Sequence, residues 1–518
     1  MGSNGDRHVG AFNFAIVLAL CLGSLTYGYS FSVTSTTLGQ PAFFEYFDLS
    51  DDESSPSYAF TNRIIGGLNG CFSGGGFLGA VFSGWACDAL GRKKTLLVAT
   101  PIGVLGGVLQ GGSVNLAMLL VGRLLGGFAV GILMVLVPLF QSEIAPPATR
   151  GFLVSQHGVV VVFGYSAAAW IGFGCYFSTT PAFQWRFPLC LQALWPLVML
   201  ALTPFLPESP RWLIMKNRTH EAWAVLGKLH DAKISSERSS FAKEELYQIT
   251  HQVAEDQELA RSETVWTLFT KASYRKRMIC AFLVMFGSES TGILVVYNYS
   301  VLLYEGLGFT GSIPLLLAAA YVTVACCGNY ISSLLVDRIG RRTSLVIGVT
   351  GCGVGLIFEA ALSATYVETT NHAGLSAGVF FLFLYISFYG CFVDATTYVY
   401  CSEIFPNHIR SRGMAWSLAI LFLSTVAYLI PAPTAFAQVG WKYYLLFILL
   451  TAICAPLLWI MLPETKGLAL EEIGEKFGDH VAVRLTQLTS DQTAELDKVI
   501  AENSGPQSVH VEMTSAST

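Results

Sequence analysis

Apolar runs of about 20 residues recur along this chain of 518 residues, with short polar breaks between them. A helix needs about 20 residues to cross the hydrocarbon core of a bilayer. We therefore expect an all-α membrane protein, in which each crossing helix satisfies its own backbone hydrogen bonds. The twelve expected spans are 11 to 33, 63 to 87, 95 to 113, 116 to 139, 152 to 176, 187 to 206, 277 to 304, 313 to 336, 343 to 364, 376 to 400, 413 to 437 and 441 to 462.

Composition also indicates a bilayer. Hydrophobic residues make up 53% of the chain and charged residues 13%, against about 25% charged residues in an ordinary soluble protein. The first run is too long for a signal peptide and lacks its basic start and cleavage site, so we expect it to remain as a span. The twelve cysteines lie mostly inside apolar runs without a CxxC pair, which predicts apolar fillers rather than disulfides or metal ligands.

Basic residues predict the orientation, because they are retained on the cytoplasmic side of a membrane. With both termini inside, 26 of the 30 lysines and arginines are cytoplasmic, three are outside and Arg123 lies within a span. We expect a multi-pass protein of the plasma membrane with both termini in the cytoplasm. Its predicted parts are a cytoplasmic tail (1–10), a six-helix bundle (11–206), a cytoplasmic helical linker (207–276), a second six-helix bundle (277–462) and a largely disordered cytoplasmic tail (463–518).

Three short signatures occur twice, in the same order and at nearly the same offset. Asp88-Ala-Leu-Gly-Arg-Lys-Lys returns as Asp337-Arg-Ile-Gly-Arg-Arg, Glu143-Ile-Ala-Pro with Arg150-Gly151 returns as Glu403-Ile-Phe-Pro with Arg410, and Pro207-Glu-Ser-Pro-Arg returns as Pro463-Glu-Thr-Lys-Gly. A common period of this kind predicts two duplicated halves.

Each signature falls at a cytoplasmic helix end in the predicted topology. A glycine turn with arginines and an acid can pair with a glutamate on a neighbouring helix, which would hold the cytoplasmic ends together in one conformation. The alternative is that these arginines only fix the topology. The predicted gating residues are Asp88, Arg92, Glu143, Arg150, Asp337, Arg341, Glu403 and Arg410.

With these motifs the chain resembles the sugar porters of the major facilitator superfamily, and Gly440-Trp-Lys-Tyr-Tyr444 and Leu470-Glu-Glu-Ile473 resemble their fungal-type members. The resemblance runs from about residue 20 to 478. It implies two six-helix bundles around a central solute path, alternating access, and intracellular helices within 207–275. It also implies a transporter of a monosaccharide, disaccharide, polyol or similar polar solute.

The solute-binding pattern of that family is damaged in this chain. By alignment on Thr291-Gly292, the usual glutamine pair of span seven becomes Ser288 and Glu289, and the following asparagine becomes Leu294. The proline-rich break of span ten reads Asp394-Ala-Thr-Thr-Tyr398. Hydroxyl groups of a solute can still find donors and acceptors here. The candidate binding residues are Gln156, His157, Ser288, Glu289, Asn298, Tyr299, Asn329 and Tyr398.

Some of these side chains have a second interpretation. His157 and Tyr398 could instead form hydrogen bonds between helices. Asn298 and Asn329 are expected to face the path, because amides are costly in lipid.

The usual proton site of symporters in this family is also absent. They carry an aspartate after a Gly-Tyr pair in span one, whereas Gly28-Tyr29 is followed here by Ser30, although Arg123 is retained. Glu289 lies 12 residues beyond Arg277, about 18 Å into a core about 30 Å thick. A carboxyl group at that depth is a candidate proton carrier, and Asp394 is a second. Alternatively, Glu289 binds solute hydroxyls directly and transport is passive.

Two other functional classes fit the sequence less well. A nutrient sensor on the same fold would fit the lost glutamines, although known sensors carry long signalling tails. An enzyme is not expected, since no catalytic order, metal cluster or phosphate loop stands out. The expected partners are a small polar solute, protons if transport is coupled, and the bilayer, with no cofactor, metal or nucleic acid. We expect a monomer.

Overall fold

A computed structural model describes residues 11–50, 55–144, 150–229, 246, 249–250, 253, 267–366, 372–406, 409–466, 468 and 470–478. All regular structure in these residues is helical. The helices up to residue 229 are α1 (Ala11–Leu38), α2 (Pro41–Tyr46), α3 (Tyr58–Leu90), α4 (Arg92–Gly111), α5 (Leu116–Ile144), α6 (Arg150–Tyr176), α7 (Pro181–Leu191), α8 (Leu194–Leu202), α9 (Pro210–Met215) and α10 (Thr219–Leu229).

The second half repeats this pattern. Its helices are α11 (Thr267–Thr270), α12 (Ala272–Glu289), α13 (Ile293–Asn298), α14 (Ser300–Gly306), α15 (Ile313–Ile339), α16 (Arg341–Tyr366), α17 (His372–Phe388), α18 (Asp394–Ile404), α19 (Arg410–Leu429), α20 (Ala432–Val439) and α21 (Tyr443–Met461). A further helix, α22 (Leu470–Phe477), belongs to a separate compact unit over residues 467–518. The predicted tails at 1–10 and from 479 onward, and most of 230–266 in the predicted linker, lie outside the described residues.

Eleven helical stretches of the described chain are long and apolar enough to cross a membrane. Ten of them are single crossings. The last runs for 52 residues from Arg410 to Met461 and contains two long helices, α19 and α21, with α20 between them. The crossings therefore reach the twelve expected from the sequence.

Several expected spans are interrupted rather than continuous α-helices, among them spans seven and ten. Span seven breaks after Glu289, because Gly292 adopts a left-handed conformation (φ 82°) that a side chain would strain. In span ten, residues Tyr389–Val393 form a π-helical segment between α17 and α18. Such segments are frequent at functional sites, and this one precedes Asp394 directly.

Close helix packing within the first half depends on glycine. A Cβ atom placed on Gly127 would lie 2.0 Å from the Phe72 carbonyl oxygen, and one on Gly131 would lie 2.1 Å from that of Gly76. Backbones of α3 and α5 can meet at this distance only without side chains between them.

The two halves meet along two pairs of helices. Helix α19 packs on α3, and α15 packs on α6. In each pair, the second crossing of one half packs on the fifth crossing of the other half. The arrangement leaves a space between the halves that α1, α6, α12, α13, α15 and α18 surround.

Candidate functional site

A small cavity lies between the halves. The centre of a water molecule can occupy about 40 Å³ of it. This volume is below the roughly 300–1,000 Å³ of a small-molecule site, so the cavity must widen to admit a solute. The lining residues are Tyr27, Val162, Tyr165, Glu289, Ile293, Leu294, Tyr297, Tyr321, Val322, Ala325, Ile386, Tyr389, Asp394 and Tyr398.

Two carboxyl groups face this cavity. Glu289, the last residue of α12, is 4% exposed, and its Oε2 has no hydrogen-bond partner among the described residues. Asp394, the first residue of α18, accepts a hydrogen bond from the Asn329 amide (Nδ2 to Oδ2, 2.8 Å). Both positions depend on the helix breaks, since each acid stands where a regular α-helix stops or starts.

Most other predicted binding residues do not line the cavity. His157 is buried behind Tyr398, with ring centroids 6.1 Å apart, and its Nδ1 lies 2.7 Å from the Ser24 hydroxyl. Ser288 and Asn298 donate to carbonyl groups of their own helical segments, those of Met285 and Leu294. Gln156 is also absent from the lining. The structure therefore places Glu289, Asp394 and Tyr398 on the cavity wall, with Asn329 bonded to Asp394. It leaves four of the predicted residues outside the lining: Gln156, His157, Ser288 and Asn298.

Tyr299 lies at a different site. Its hydroxyl donates to the Leu429 carbonyl (2.9 Å) and accepts from the Asn69 amide (3.0 Å), which joins the halves. It lines a second, wider cavity, where the centre of a water molecule can occupy about 670 Å³. We call this cavity the vestibule; it is lined by Phe44, Ser50, Tyr58, Thr61, Asn62, Ile65, Tyr299, Leu302, Leu303, Glu305, Leu307, Glu359, Ser363, Pro433, Phe436, Ala437, Gly440, Trp441 and Tyr444.

Arg123 is held without a carboxylate among the described residues. Its guanidinium donates to the backbone carbonyls of Ser30 (2.8 Å) and Leu68 (3.3 Å) and lies 4.1 Å from the centre of the Phe72 ring. The carbonyl of Ser30 thus contacts Arg123 at the position where proton symporters of the resembled family carry an aspartate. Carbonyl dipoles and the face of the Phe72 ring stabilise the charge of the guanidinium in place of that aspartate.

A compact charge cluster lies at the end of the molecule that carries the Gly91 turn, which we call the linker end. Arg92 forms a bidentate pair with Glu143 (2.6 and 2.8 Å) and lies 3.9 Å from Asp88. Glu208 accepts hydrogen bonds from the backbone N–H groups of Arg92 and Lys93. This carboxylate caps the N-terminus of α4, where unpaired N–H groups favour negative charge.

The second half repeats the arrangement. Arg341 donates to Glu403 (2.9 Å), and Glu464 accepts from the backbone N–H groups of Arg341 and Arg342 (2.8 and 3.1 Å). The Thr465 hydroxyl donates to the other oxygen of Glu403 (2.8 Å). The three duplicated signatures of the sequence therefore meet in space in each half.

The remaining gate candidates differ. Arg410 donates to the Phe405 carbonyl (3.3 Å), whereas the side chains of Arg150 and Asp337 lie outside the described part of the chain. Asp88 extends across the boundary between the halves, where Ser411 of α19 donates to its Oδ2.

Sequence reasoning missed several residues of these sites. The tyrosines of the central cavity other than Tyr398 gave no motif, because aromatic residues at helical spacing are typical of any packed helix. The capping roles of Glu208 and Glu464 did have a signal, namely the repeated Pro-Glu pair. Glu359 had one too, since an acid within span nine is costly unless it has a function.

Comparison with known proteins agrees with the fold and the motifs. The family model "Sugar (and other) transporter" matches residues 16–477. The chain is 30% identical over 471 residues to the MFS-type transporter criB of Aspergillus cristatus, covering 91% of this chain and 94% of that protein. It is 28% identical to a high-affinity glucose transporter of Kluyveromyces lactis, covering 90% of this chain and 85% of that one.

Solved structures show the same fold. The proton:xylose symporter XylE, bound to 6-bromo-6-deoxy-D-glucose, superposes with a TM-score of 0.76 at 21% identity, covering 91% of this chain and 100% of XylE. The fold is thus the major facilitator fold. The chain belongs to the sugar (and other) transporter family, whose members are membrane transporters and not enzymes.

Proposed function

We propose that this protein moves a sugar or a similar small polar solute across a membrane by alternating access, through the central cavity. The observation that carries the proposal is a cavity with two acids at the junction of two duplicated halves. Separate sets of contacts join the halves on either side of it: Asp88 with Ser411 at the linker end, and Asn69 with Tyr299 at the vestibule. Breaking one set while the other holds would expose the cavity to one side at a time.

The proposal includes an orientation. The linker end carries Arg92, Lys93, Arg341 and Arg342, and basic residues favour the cytoplasmic face. We place this end in the cytoplasm and the vestibule outside the cell, in the plasma membrane. An epitope at either terminus should then be detected only after the cells are permeabilised.

Uptake into proteoliposomes tests the function. Labelled hexoses, pentoses, disaccharides and polyols are offered one at a time to the purified, reconstituted protein. We expect saturable flux of at least one of them and its loss in Asp394→Asn, whose side chain is on the cavity wall. A protein that binds a solute without any flux would be a sensor on the same fold, and the transport proposal would be wrong.

Proton coupling is a separate part of the proposal. Glu289 is a candidate carrier because it is buried, faces the cavity and lies beside Asp394. Solute-driven proton uptake that disappears in Glu289→Gln, while solute counterflow persists, would support symport. Solute flux without any pH signal in the wild-type protein would contradict proton coupling. Transport would then be passive, and Glu289 would be a solute ligand.

A further inference from the structure

The central cavity has an unusual wall for a carbohydrate site. Its polar groups are two carboxyls and six tyrosines: Tyr27, Tyr165, Tyr297, Tyr321, Tyr389 and Tyr398. Among the described residues that line it, none is an asparagine, glutamine, lysine, arginine or histidine. Amides, which can donate and accept at once, would suit sugar hydroxyls, whereas acids and ring faces favour a positive charge.

Three of the six rings contact one another at the boundary between the halves. Tyr165 of the first half lies 5.4 Å from Tyr297 of the second, centroid to centroid, and 5.9 Å from Tyr27. The Tyr297 hydroxyl donates to Ser32, so this ring is fixed in place. Tyr321 is fully buried, and its hydroxyl has no hydrogen-bond partner among the described residues. Its ring, rather than its hydroxyl, is the part anchored by packing.

Neither Arg123 nor His157 contributes a positive charge to the cavity wall. The guanidinium of Arg123 lies over Phe72, which is separated from Tyr297 by the ring of Phe31. Its Nε and Nη1 donate to two backbone carbonyls, and its Nη2 has no partner among the described residues. His157 lies behind Tyr398 and does not reach the lining. The Glu289 oxygen without a partner is therefore left for a ligand.

The vestibule shows the same chemistry as the central cavity. Glu359 of α16 is 2% exposed, and its Oε2 has no partner among the described residues. It shares the wall with Glu305, Trp441 and Tyr444, and no lysine, arginine or histidine is among the described lining residues. When ionised, the acids of each compartment create a negative potential that concentrates cations.

From these two cavities we infer that the transported solute carries a positively charged nitrogen. The central cavity then acts as a cage for a small ammonium compound. Glu289 and Asp394 contact its positive charge, and the faces of the tyrosine rings surround it. The inference rests on the proposed transport function and replaces a neutral sugar by a cationic polar solute as its substrate. It requires that the rings part to admit the ligand, since the centre of a water molecule can occupy only about 40 Å³ of the cavity in this conformation.

Binding of choline and of its neutral isostere 3,3-dimethylbutan-1-ol to the purified protein in nanodiscs provides the test. The two probes differ in one atom, nitrogen or carbon, and in charge. We expect choline to bind at least about tenfold more tightly, since a desolvated cation–π contact contributes about 2 kcal/mol. Equal binding of the two probes, or binding of neither, would overturn the inference.

Substitution at Tyr321 separates ring from hydroxyl. Tyr321→Phe keeps the aromatic face and removes a hydroxyl without a protein partner, so choline affinity should stay within about twofold. Tyr321→Leu removes the face and should weaken choline about tenfold. The opposite order, with Phe as damaging as Leu, would indicate hydroxyl recognition and contradict the cage.

A second measurement does not depend on any solute. A cysteine at Leu294, on the cavity wall, is labelled with a cationic and an anionic methanethiosulfonate of similar size, and wild-type labelling is subtracted for the native cysteines. We expect the cation to react faster and this preference to fall in Glu289→Gln. A preference for the anion would overturn the inference.

The outcomes separate this inference from the transport proposal. Choline binding without flux of any solute would support the ammonium site and refute the transport proposal. Flux of a neutral sugar without choline binding would support the transport proposal and refute the ammonium site.

Discussion

Ser411 of α19 donates a hydrogen bond to the Asp88 carboxylate across the boundary between the halves (Oγ to Oδ2, 3.0 Å). Asp88 stays within 3.9 Å of Arg92, so the bond connects the charge cluster of one half to a crossing helix of the other. Opening the linker end must break it. Ser411→Ala should therefore favour the conformation open at that end, by about 0.5–1.5 kcal/mol, or roughly 2- to 12-fold in population.

Spin labels on the exposed side chains at positions 94 and 338, one in each half, measure this shift as a distance distribution. Ser417→Ala is the matched control, because the Ser417 hydroxyl donates within its own helix to the Gly413 carbonyl (2.8 Å). We expect the control distribution to match the wild type. An unchanged distribution in Ser411→Ala would mean that the bond does not contribute to closure.

Phe72 stabilises the buried guanidinium of Arg123 through its ring face. Phe72→Leu removes this contact and should lower the unfolding free energy by about 0.5–2 kcal/mol beyond the loss of packing. Phe31→Leu is the matched control, since Phe31 is a buried ring that contacts Phe72 (6.0 Å). Thermal unfolding of both variants in detergent gives the difference, and equal losses would argue against a cation–π contribution.

Asn329 orients the Asp394 carboxylate toward the cavity. Asn329→Leu keeps a similar volume and removes the donor, so solute binding should weaken by about tenfold, which corresponds to the loss of a hydrogen bond to a charged group. Asn298→Leu serves as the comparison, because Asn298 donates to a carbonyl one turn away (2.9 Å). If both variants bind the solute equally well, Asn329 has no positioning role.

Glu208 gives a pH dependence outside the membrane spans. Burial raises the pKa of its carboxyl above the ordinary value of 4.5, although the N–H donors of Ser209, Lys93 and Arg92 oppose the shift. An acid with a higher pKa in the folded protein contributes stability that is fully present below the unfolded pKa and is lost as the pH rises through the folded value.

The unfolding temperature of the wild type should therefore fall relative to that of Glu208→Gln as the pH rises from 4.5 through the raised value. Glu221→Gln is the comparison, because Glu221 pairs with Arg218 at the exposed surface, where an ion pair contributes little. A constant difference between Glu208→Gln and wild type across this range would contradict the prediction.

The fold was predictable because membrane spans obey simple rules. Length and hydropathy locate crossing helices, and the duplicated Asp88 and Asp337 signatures show the two halves. The breaks at Gly292 and at Tyr389–Val393 were not predicted. Apolar content does not distinguish a continuous helix from an interrupted one, because both bury the same side chains.

The sites were predictable only in part. Glu289 and Asp394 stand out because acids are costly in a membrane. Tyr165 and Tyr321 do not, since a tyrosine on a crossing helix can face another helix, lipid or a cavity with the same residue pattern. Tyr299 is the opposite case, a predicted binding residue that lies elsewhere. Its position beside the span-seven motif predicted a place in the central cavity. The helical segment that follows the break at Gly292 instead places Tyr299 on the vestibule wall.

The π-helical segment Tyr389–Val393 fixes the rotational phase of the helix that follows it. One extra residue in a turn rotates everything beyond it by about 100° relative to an uninterrupted α-helix. Asp394 and Glu403 both lie on that rotated helix, one facing the cavity and the other facing Arg341. Rotation of α18 about its axis would therefore move Asp394 away from the cavity and Glu403 away from Arg341 at the same time. Solute binding in the cavity and closure of the linker end would then both depend on the same helix rotation.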